Sequence, residues 1–281
     1  MYHPSMPDRR AMIVVLVPAA AAVVLLSGCE TPEELRGAKS LLQVAQPITP
    51  EQAARMAIDP YDADNRYRGT MLLANSWFGG EAVYVDLYAD HLDDEDANVR
   101  VAAVRAIGIH GSPDHVPKVV ALMSDADDRV RLEAARTLQR LHNPVAIGPL
   151  IDHVREPEPT RGVFDGETDA RVRAESAHAL GQYADPRVLQ PLIAALDDRN
   201  LAVNTAALHA LRTLTGEDHG FDRRAWLKWF NQTPSPFAGR TAYIYPAFHR
   251  DRTLIEFLPF VPPPPNEPES TPVGMRPVEA R

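Results

Sequence analysis

Four stretches decide the fold: NVRVAAVRAIG at 98–108, RVRLEAARTLQ at 129–139, RVRAESAHALG at 171–181 and AVNTAALHALR at 202–212. They start at 98, 129, 171 and 202, so the offsets are 31, 42 and 31, and the third copy is preceded by an 11-residue insertion. One column is Val99, Val130, Val172 and Val203, and another is Ile107, Leu138, Leu180 and Leu211. Between them lie two small-residue columns: Ala103, Ala134, Ser176 and Ala207, then Ala106, Thr137, Ala179 and Ala210. Steps of about 4, 3 and 1 along a copy trace one face of an α-helix. Small side chains on that face let neighbouring helices approach closely, as a stacked array requires.

Helix punctuation recurs with the same period. Asp96, Asp127, Asp169 and Asn200 stand three residues before the valine column, where each is a good N-cap. Ser112-Pro113, Asn143-Pro144 and Asp185-Pro186 pair an N-cap with a proline in the first turn, so each opens a second helix. The apolar face of that helix is Val116, Val119, Val120 and Met123 in one copy and Leu189, Leu192, Ile193 and Leu196 in a later one. Each unit is therefore helix–turn–helix in about 31 residues. An acid column, Asp94, Asp125, Glu167 and Asp198, lies six residues before Arg100, Arg131, Arg173 and Asn204. An acid and an arginine once per unit predict a ladder of bidentate pairs between stacked units, fixing register more than adding stability. Asn204 breaks the column and leaves the last contact open.

These columns resemble the HEAT-repeat family, and most closely the short bacterial repeats found in phycobilisome bilin lyases. The resemblance covers roughly residues 62–230. It implies an all-α solenoid of about five units whose second helices line a concave surface for partners. A weaker first copy is read at an offset of 32, with Asp62, Asp64 and Arg68 in the acid, cap and arginine columns, followed by Trp77, Gly79-Gly80, Tyr84, Leu87 and Tyr88. Trp226, Trp229 and Phe230 sit on a last helix and cap the final apolar face. Deoxyhypusine hydroxylase resembles these repeats and binds iron through His-Glu pairs, but this chain has no His-Glu dipeptide. His178 and His209 align with Arg105 and Arg136, which predicts a basic stripe on an exposed face rather than a metal site. No metal or other cofactor is expected, and no activity. The alternative is a ligand-binding or enzymatic module of the bilin-lyase or deoxyhypusine-hydroxylase-like class.

The ends are different material. Arg9 and Arg10 precede an apolar run over 11–26, short of the roughly 20 residues a spanning helix needs. It ends in Leu26-Ser27-Gly28-Cys29, which resembles the lipobox of bacterial lipoproteins. The resemblance implies cleavage between Gly28 and Cys29 and lipid on the Cys29 thiol, the chain's one cysteine. Residues 1–28 are then a signal peptide, 29–48 a spacer and 49–61 a helix opened by Thr49-Pro50-Glu51-Gln52. The solenoid is 62–233, with the insertion at 156–166. Residues 234–281 are a Pro-rich tail holding 11 of the 26 prolines. Its Ala242–Tyr245 and Leu254–Leu258 stretches are expected to dock back on the solenoid, with engagement of a partner as the alternative, and its last 20 residues to be disordered. Glu30 stands where the resemblance associates an aspartate with inner-membrane retention, which implies the outer membrane.

The whole chain has 281 residues, 45% apolar and 24% charged, with a net charge of −9. That balance is globular and lacks the basic footprint of a nucleic-acid binder. One cysteine rules out an internal disulfide. The combined expectation is a scaffold or adaptor, lipid-anchored in the cell envelope and facing the periplasm, that holds an envelope protein near the membrane. Arg161 and Phe164 of the insertion are candidate partner contacts.

Overall fold

The computed structural model describes residues 48–157, 166–246, 250–257, 266 and 269–276. Residues Pro50–Arg281 form one compact unit, separate from Met1–Thr49. Gly28, Cys29, Arg161 and Phe164 lie outside the described residues.

Among the described residues the regular structure is helical. After α1 (Pro50–Ala57), five helix pairs follow: α2 (Ala63–Ala74) with α3 (Ala82–His91), α4 (Ala97–His110) with α5 (Val116–Ala121), α6 (Asp128–Arg140) with α7 (Ile147–Val154), α8 (Ala170–Leu180) with α9 (Pro186–Ala195), and α10 (Leu201–Thr215) with α11 (Arg223–Gln232). The first helices stack in order, α2 on α4 on α6 on α8 on α10, and α1 covers the free side of α2. None of the described helices is long and apolar enough to cross a membrane.

The caps explain where the helices begin. The side chains of Asp96, Asp127, Asp169 and Asn200 accept from the backbone N–H two residues on, so donors that lack an intrahelical partner are satisfied. Asp62 and Asp222 do the same for α2 and α11. Pro113, Pro144 and Pro186 each sit in the first turn of a second helix, two of them through a short 3-10 turn. The valine, small and leucine columns are all buried, which makes them the seam between first helices. Thr137 keeps its hydroxyl satisfied inside that seam by donating to the Val104 carbonyl at 2.9 Å.

The first unit corrects the sequence reading. Asp62 is the N-cap rather than the ladder acid, and Arg66 rather than Arg68 takes the ladder position. The offset from Arg66 to Arg100 is 34 residues, not 32. Acids at 59, 62 and 64 and arginines at 66 and 68 allowed either register by pattern, and the cap geometry selects one.

The tail also departs from expectation. Residues 242–245 dock as expected, but Leu254–Phe257 is a 3-10 turn whose Leu254, Ile255 and Phe257 are exposed. That turn is folded by Arg250, whose guanidinium grips Glu256 through both carboxylate oxygens, one of them at 2.8 Å. Part of the stretch expected to be disordered is instead pinned. Val273 donates to the Arg140 carbonyl at 2.8 Å and accepts from His142 N–H at 2.9 Å, pairing in parallel with Leu141. Leu141 has just left α6 in an extended conformation, so its neighbours' backbone groups are free to pair.

The N-terminal cap rests on the missing side chain of Gly69. A Cβ there would lie 2.2 Å from the Ala57 nitrogen and 2.6 Å from the Ala53 carbonyl oxygen, so α1 and α2 touch backbone to backbone. Gly69→Val should lower stability by about 2 kcal/mol and speed amide exchange throughout α1. Gly148→Ala, in α7 with nothing within 4 Å of its Cβ, should be neutral or stabilise by up to about 1 kcal/mol. Chemical denaturation and hydrogen exchange check the pair.

Candidate functional site

The arginines of the first helices form a continuous ladder. Each reaches the acid of the following unit through two parallel hydrogen bonds: Arg66 to Asp94 (2.8 and 3.0 Å), Arg100 to Asp125 (2.8 and 2.9 Å), Arg131 to Glu167 (2.8 and 3.0 Å) and Arg173 to Asp198 (2.7 and 3.0 Å). The remaining guanidinium nitrogen turns back to its own unit. Arg100, Arg131 and Arg173 donate to the carbonyls of Asp94, Asp125 and Glu167 at 2.8–2.9 Å. Each ladder acid in turn accepts the N–H of the N-cap residue two positions on, at 2.8–2.9 Å. One rung therefore links the end of one unit, the start of its first helix and the next unit. The last rung is the most covered, with Arg173 and Asp198 side chains 5% and 2% exposed. Asn204 closes the series: its amide donates to the carbonyls of Ala195, Leu196 and Asp198, so it keeps the inward contact and needs no acid beyond.

Burial works against two of the ladder carboxylates, Asp94 and Glu167, and the arginines override it. Desolvation pushes Asp94 and Glu167 up, but hydrogen bonds and charge from Arg66 and Arg131 hold both below the usual carboxylate range. The caps Asp127 and Asp169 are held at about 2, chiefly by hydrogen bonds from Arg129 and Arg171.

Two grooves mark the surface of the solenoid. The larger, about 1020 Å³, follows the second helices and is lined by Ile151, Pro191, Leu227, Arg187, Arg199 and Arg223 among others. The root of the insertion forms part of its wall through Glu156, which pairs with Arg199 at 3.1 Å, and Pro157. The smaller, about 370 Å³, lies on the first helices between Arg105, Glu133, Arg136, Gln139, Glu175 and Tyr245. Of the expected basic stripe, Arg105, Arg136 and His209 are exposed, but Arg136 pairs with Glu175 at 3.1 Å and with Glu133 at 3.6 Å, so the face is mixed in charge. His178 is half-buried with its ring centroid 5.8 Å from that of His209; desolvation first, and then the His209 charge, lower its pKa against the pull of Glu175. Among the described residues no three His, Cys, Asp or Glu side chains could hold a metal.

The other lowered histidines serve packing. His91, desolvated, meets the Thr70 hydroxyl at 2.9 Å, and His142, also desolvated, meets the Gln182 side-chain oxygen at 3.0 Å. Gln182 donates on to the Leu138 carbonyl at 2.7 Å, which ties units three and four at the ends of their first helices. Sequence columns missed this second tie because it occurs once. Trp226 caps the last unit as its aromatic run predicted, fully buried with its indole N–H on the Gly220 carbonyl at 2.8 Å.

The family model of HEAT repeats matches residues 85–164 and 163–220, the span over which caps, seam and ladder recur. Over these residues the chain is built of HEAT repeats. No curated protein matches it. Solved structures similar to it include YIBA_ECOLI (15% identity, covering 83% of this chain and 100% of that one, TM-score 0.47). Another is a designed armadillo repeat protein in complex with the peptide (KR)4 (18%, 66% and 89%, TM-score 0.46). A third is the complex of CpcE and CpcF of phycocyanin lyase from Nostoc sp. PCC7120 (22%, 66% and 81%, TM-score 0.40). These are likenesses of fold, and they carry nothing about partner or chemistry to this HEAT-repeat chain.

The depressed carboxylates set the acid limit of stability. A group whose folded pKa lies below its unfolded value stabilises fully above the unfolded value and stops doing so as pH falls through the folded one. Unfolding free energy should therefore begin to fall below about pH 6.5, where His91, His142 and His178 take up protons in the unfolded chain, and fall further from about 4.5 to about 2 as the carboxylates are protonated. Arg173→Met leaves Asp198 buried without its partner and should cost about 3–5 kcal/mol at neutral pH. Arg129→Met, at an exposed pair, should cost less than about 1 kcal/mol. Urea titrations across pH check both.

Proposed function

We propose that this chain is a protein-interaction scaffold tethered to a membrane of the bacterial envelope by lipid on Cys29. The observation that carries the scaffold reading is where the perturbed ionisable groups go. The carboxylates and arginines with shifted pKa are engaged in ladder rungs, helix caps and local hydrogen bonds or ion pairs, and His91 and His142 in packing contacts; His178 stands apart, beside His209 on the first helices. Catalytic sites gather such groups in one pocket. Here both grooves are open and mix apolar side chains with paired charges, a surface that suits an extended protein partner.

The tether rests on the sequence: Arg9 and Arg10, the apolar run over 11–26, and Leu26-Ser27-Gly28 before the one cysteine. A spacer of residues 29–48 has a contour length of at most about 70 Å. The scaffold would thus work close to the bilayer, and tethering would raise the local concentration of whatever it holds. We place the partner on the second-helix groove and the adjoining insertion, with Arg161 and Phe164 as contacts, and the anchor in the outer membrane, facing the periplasm.

Crosslinking of intact cells followed by purification from the membrane fraction tests this. One stoichiometric partner, with crosslinks in the second helices or residues 156–166, is expected. Cys29→Ser should release the chain from the membrane fraction and abolish acyl labelling. Unchanged membrane association of that variant would refute the lipid anchor. Unchanged partner capture after Arg161→Ala with Phe164→Ala would refute the insertion contact.

A further inference from the structure

The first-helix face is already occupied, by the chain itself. Gly239 meets the end of α10, where Gly216 (φ +74°) caps the helix; a Cβ on Gly216 would lie 2.3 Å from the Gly239 carbonyl oxygen. Thr241 N–H then donates to the Thr213 carbonyl at 2.8 Å. Tyr243 is 1% exposed, in a slot beside Gly181 and Ala210: a Cβ on Gly181 would stand 3.2 Å from both Tyr243 Cε2 and Ala210 Cβ. Tyr245 lies under the Arg140 guanidinium, 5.2 Å from its carbon to the ring centroid. Residues 239–245 thus cross the ends of α10, α8 and α6 in reverse chain order. Thr241, Ala242 and Ile244 are exposed along the way. Past Tyr245 and Pro246 the same face continues into the 370 Å³ groove beside Arg105 and Ile109.

This is peptide-in-groove geometry with two aromatic side chains two positions apart. The fit has one defect. Tyr243 Oη is buried without a hydrogen-bond partner among the described residues. A slot that covers an aromatic ring and leaves its hydroxyl unpaired favours the same ring without the hydroxyl. The Thr241 backbone bond, the Tyr243 ring and the Tyr245–Arg140 contact hold residues 239–245 there, and the unpaired hydroxyl weakens that hold.

We propose that the first-helix face is a binding site for an extended segment of another protein, carrying a phenylalanine-type ring two residues before a second aromatic. Residues 239–246 fill it in cis until that segment displaces them. The proposal is independent of the second-helix groove and of the lipid anchor, and it stands or falls apart from both.

The test uses the full chain and a fluorescently labelled peptide of residues 239–246 carrying Tyr243→Phe. A full-length variant with Tyr243→Ala and Tyr245→Ala should bind it at least about tenfold tighter than wild type, because the slot is vacated. The unsubstituted peptide should bind that variant about fivefold more weakly than the Phe form, and a peptide with alanine at both ring positions should not bind. Adding Gly181→Leu to the variant should abolish binding by filling the slot. Equal affinity of wild type and variant, or retained binding of the alanine peptide, overturns the proposal. Should the variant fail to fold, wild type decides: excess Phe peptide must speed exchange of the Thr241 amide, and unchanged protection overturns the proposal. Dimerisation by tail exchange at high concentration, blocked by Tyr243→Ala, would make a second copy the occupant and overturn the assignment to another protein.

Discussion

The contact on which the structure depends is the forked hydrogen bond from an arginine of one unit to the acid of the next. Two parallel bonds to a carboxylate fix distance and direction together, which a single apolar contact does not. The third nitrogen ties the same guanidinium to the backbone where its own unit begins, and the carboxylate reaches the next N-cap. Every unit boundary thus has one polar bolt on one side and a seam of small side chains on the other. The seam supplies apolar burial, and its alternation of valine, small and leucine positions supports the register that the ladder fixes. The ladder makes only one register satisfactory. Leaving a buried arginine or carboxylate unpaired is expensive, and that expense is what specifies the stack.

The two ends show what an interrupted ladder requires. At the start, Arg66 still finds Asp94, and α1 covers the outward face of α2 through the backbone contact at Gly69. At the finish, an arginine in the column would have no acid to meet. Asn204 satisfies the same inward carbonyls without carrying a charge, and Trp226 with Trp229 covers the apolar face. End units of a repeat array need such substitutes because one face has no neighbour.

Much of this was legible from the sequence, for definite reasons. Caps, seams and ladder columns recur, and recurrence at a fixed period identifies side chains that do the same job four times. The register of the first unit was misread by two residues, because Asp59, Asp62 and Asp64 with Arg66 and Arg68 satisfy the pattern in more than one way. The His142–Gln182–Leu138 tie was invisible because it occurs once. The tail was only half legible. Tyr243 signalled docking as a buried aromatic does, whereas the pairing of Val273 with Arg140 and His142 uses backbone groups that every residue carries. Composition alone argued for disorder there. Of the candidate site residues, the ladder members are brought together in pairs, while Cys29, Arg161 and Phe164 stand on sequence reasoning.

The most direct measurement of the central claim is a double-mutant cycle across one boundary. Stability of Arg100→Met, Asp125→Asn and the double variant, each by urea denaturation, isolates the coupling between the two side chains. The ladder account predicts a coupling of about 2 kcal/mol, with the double variant less damaged than the sum of the singles. Additivity within about 0.5 kcal/mol would mean that the pair does not hold the boundary and that the apolar seam alone sets the register.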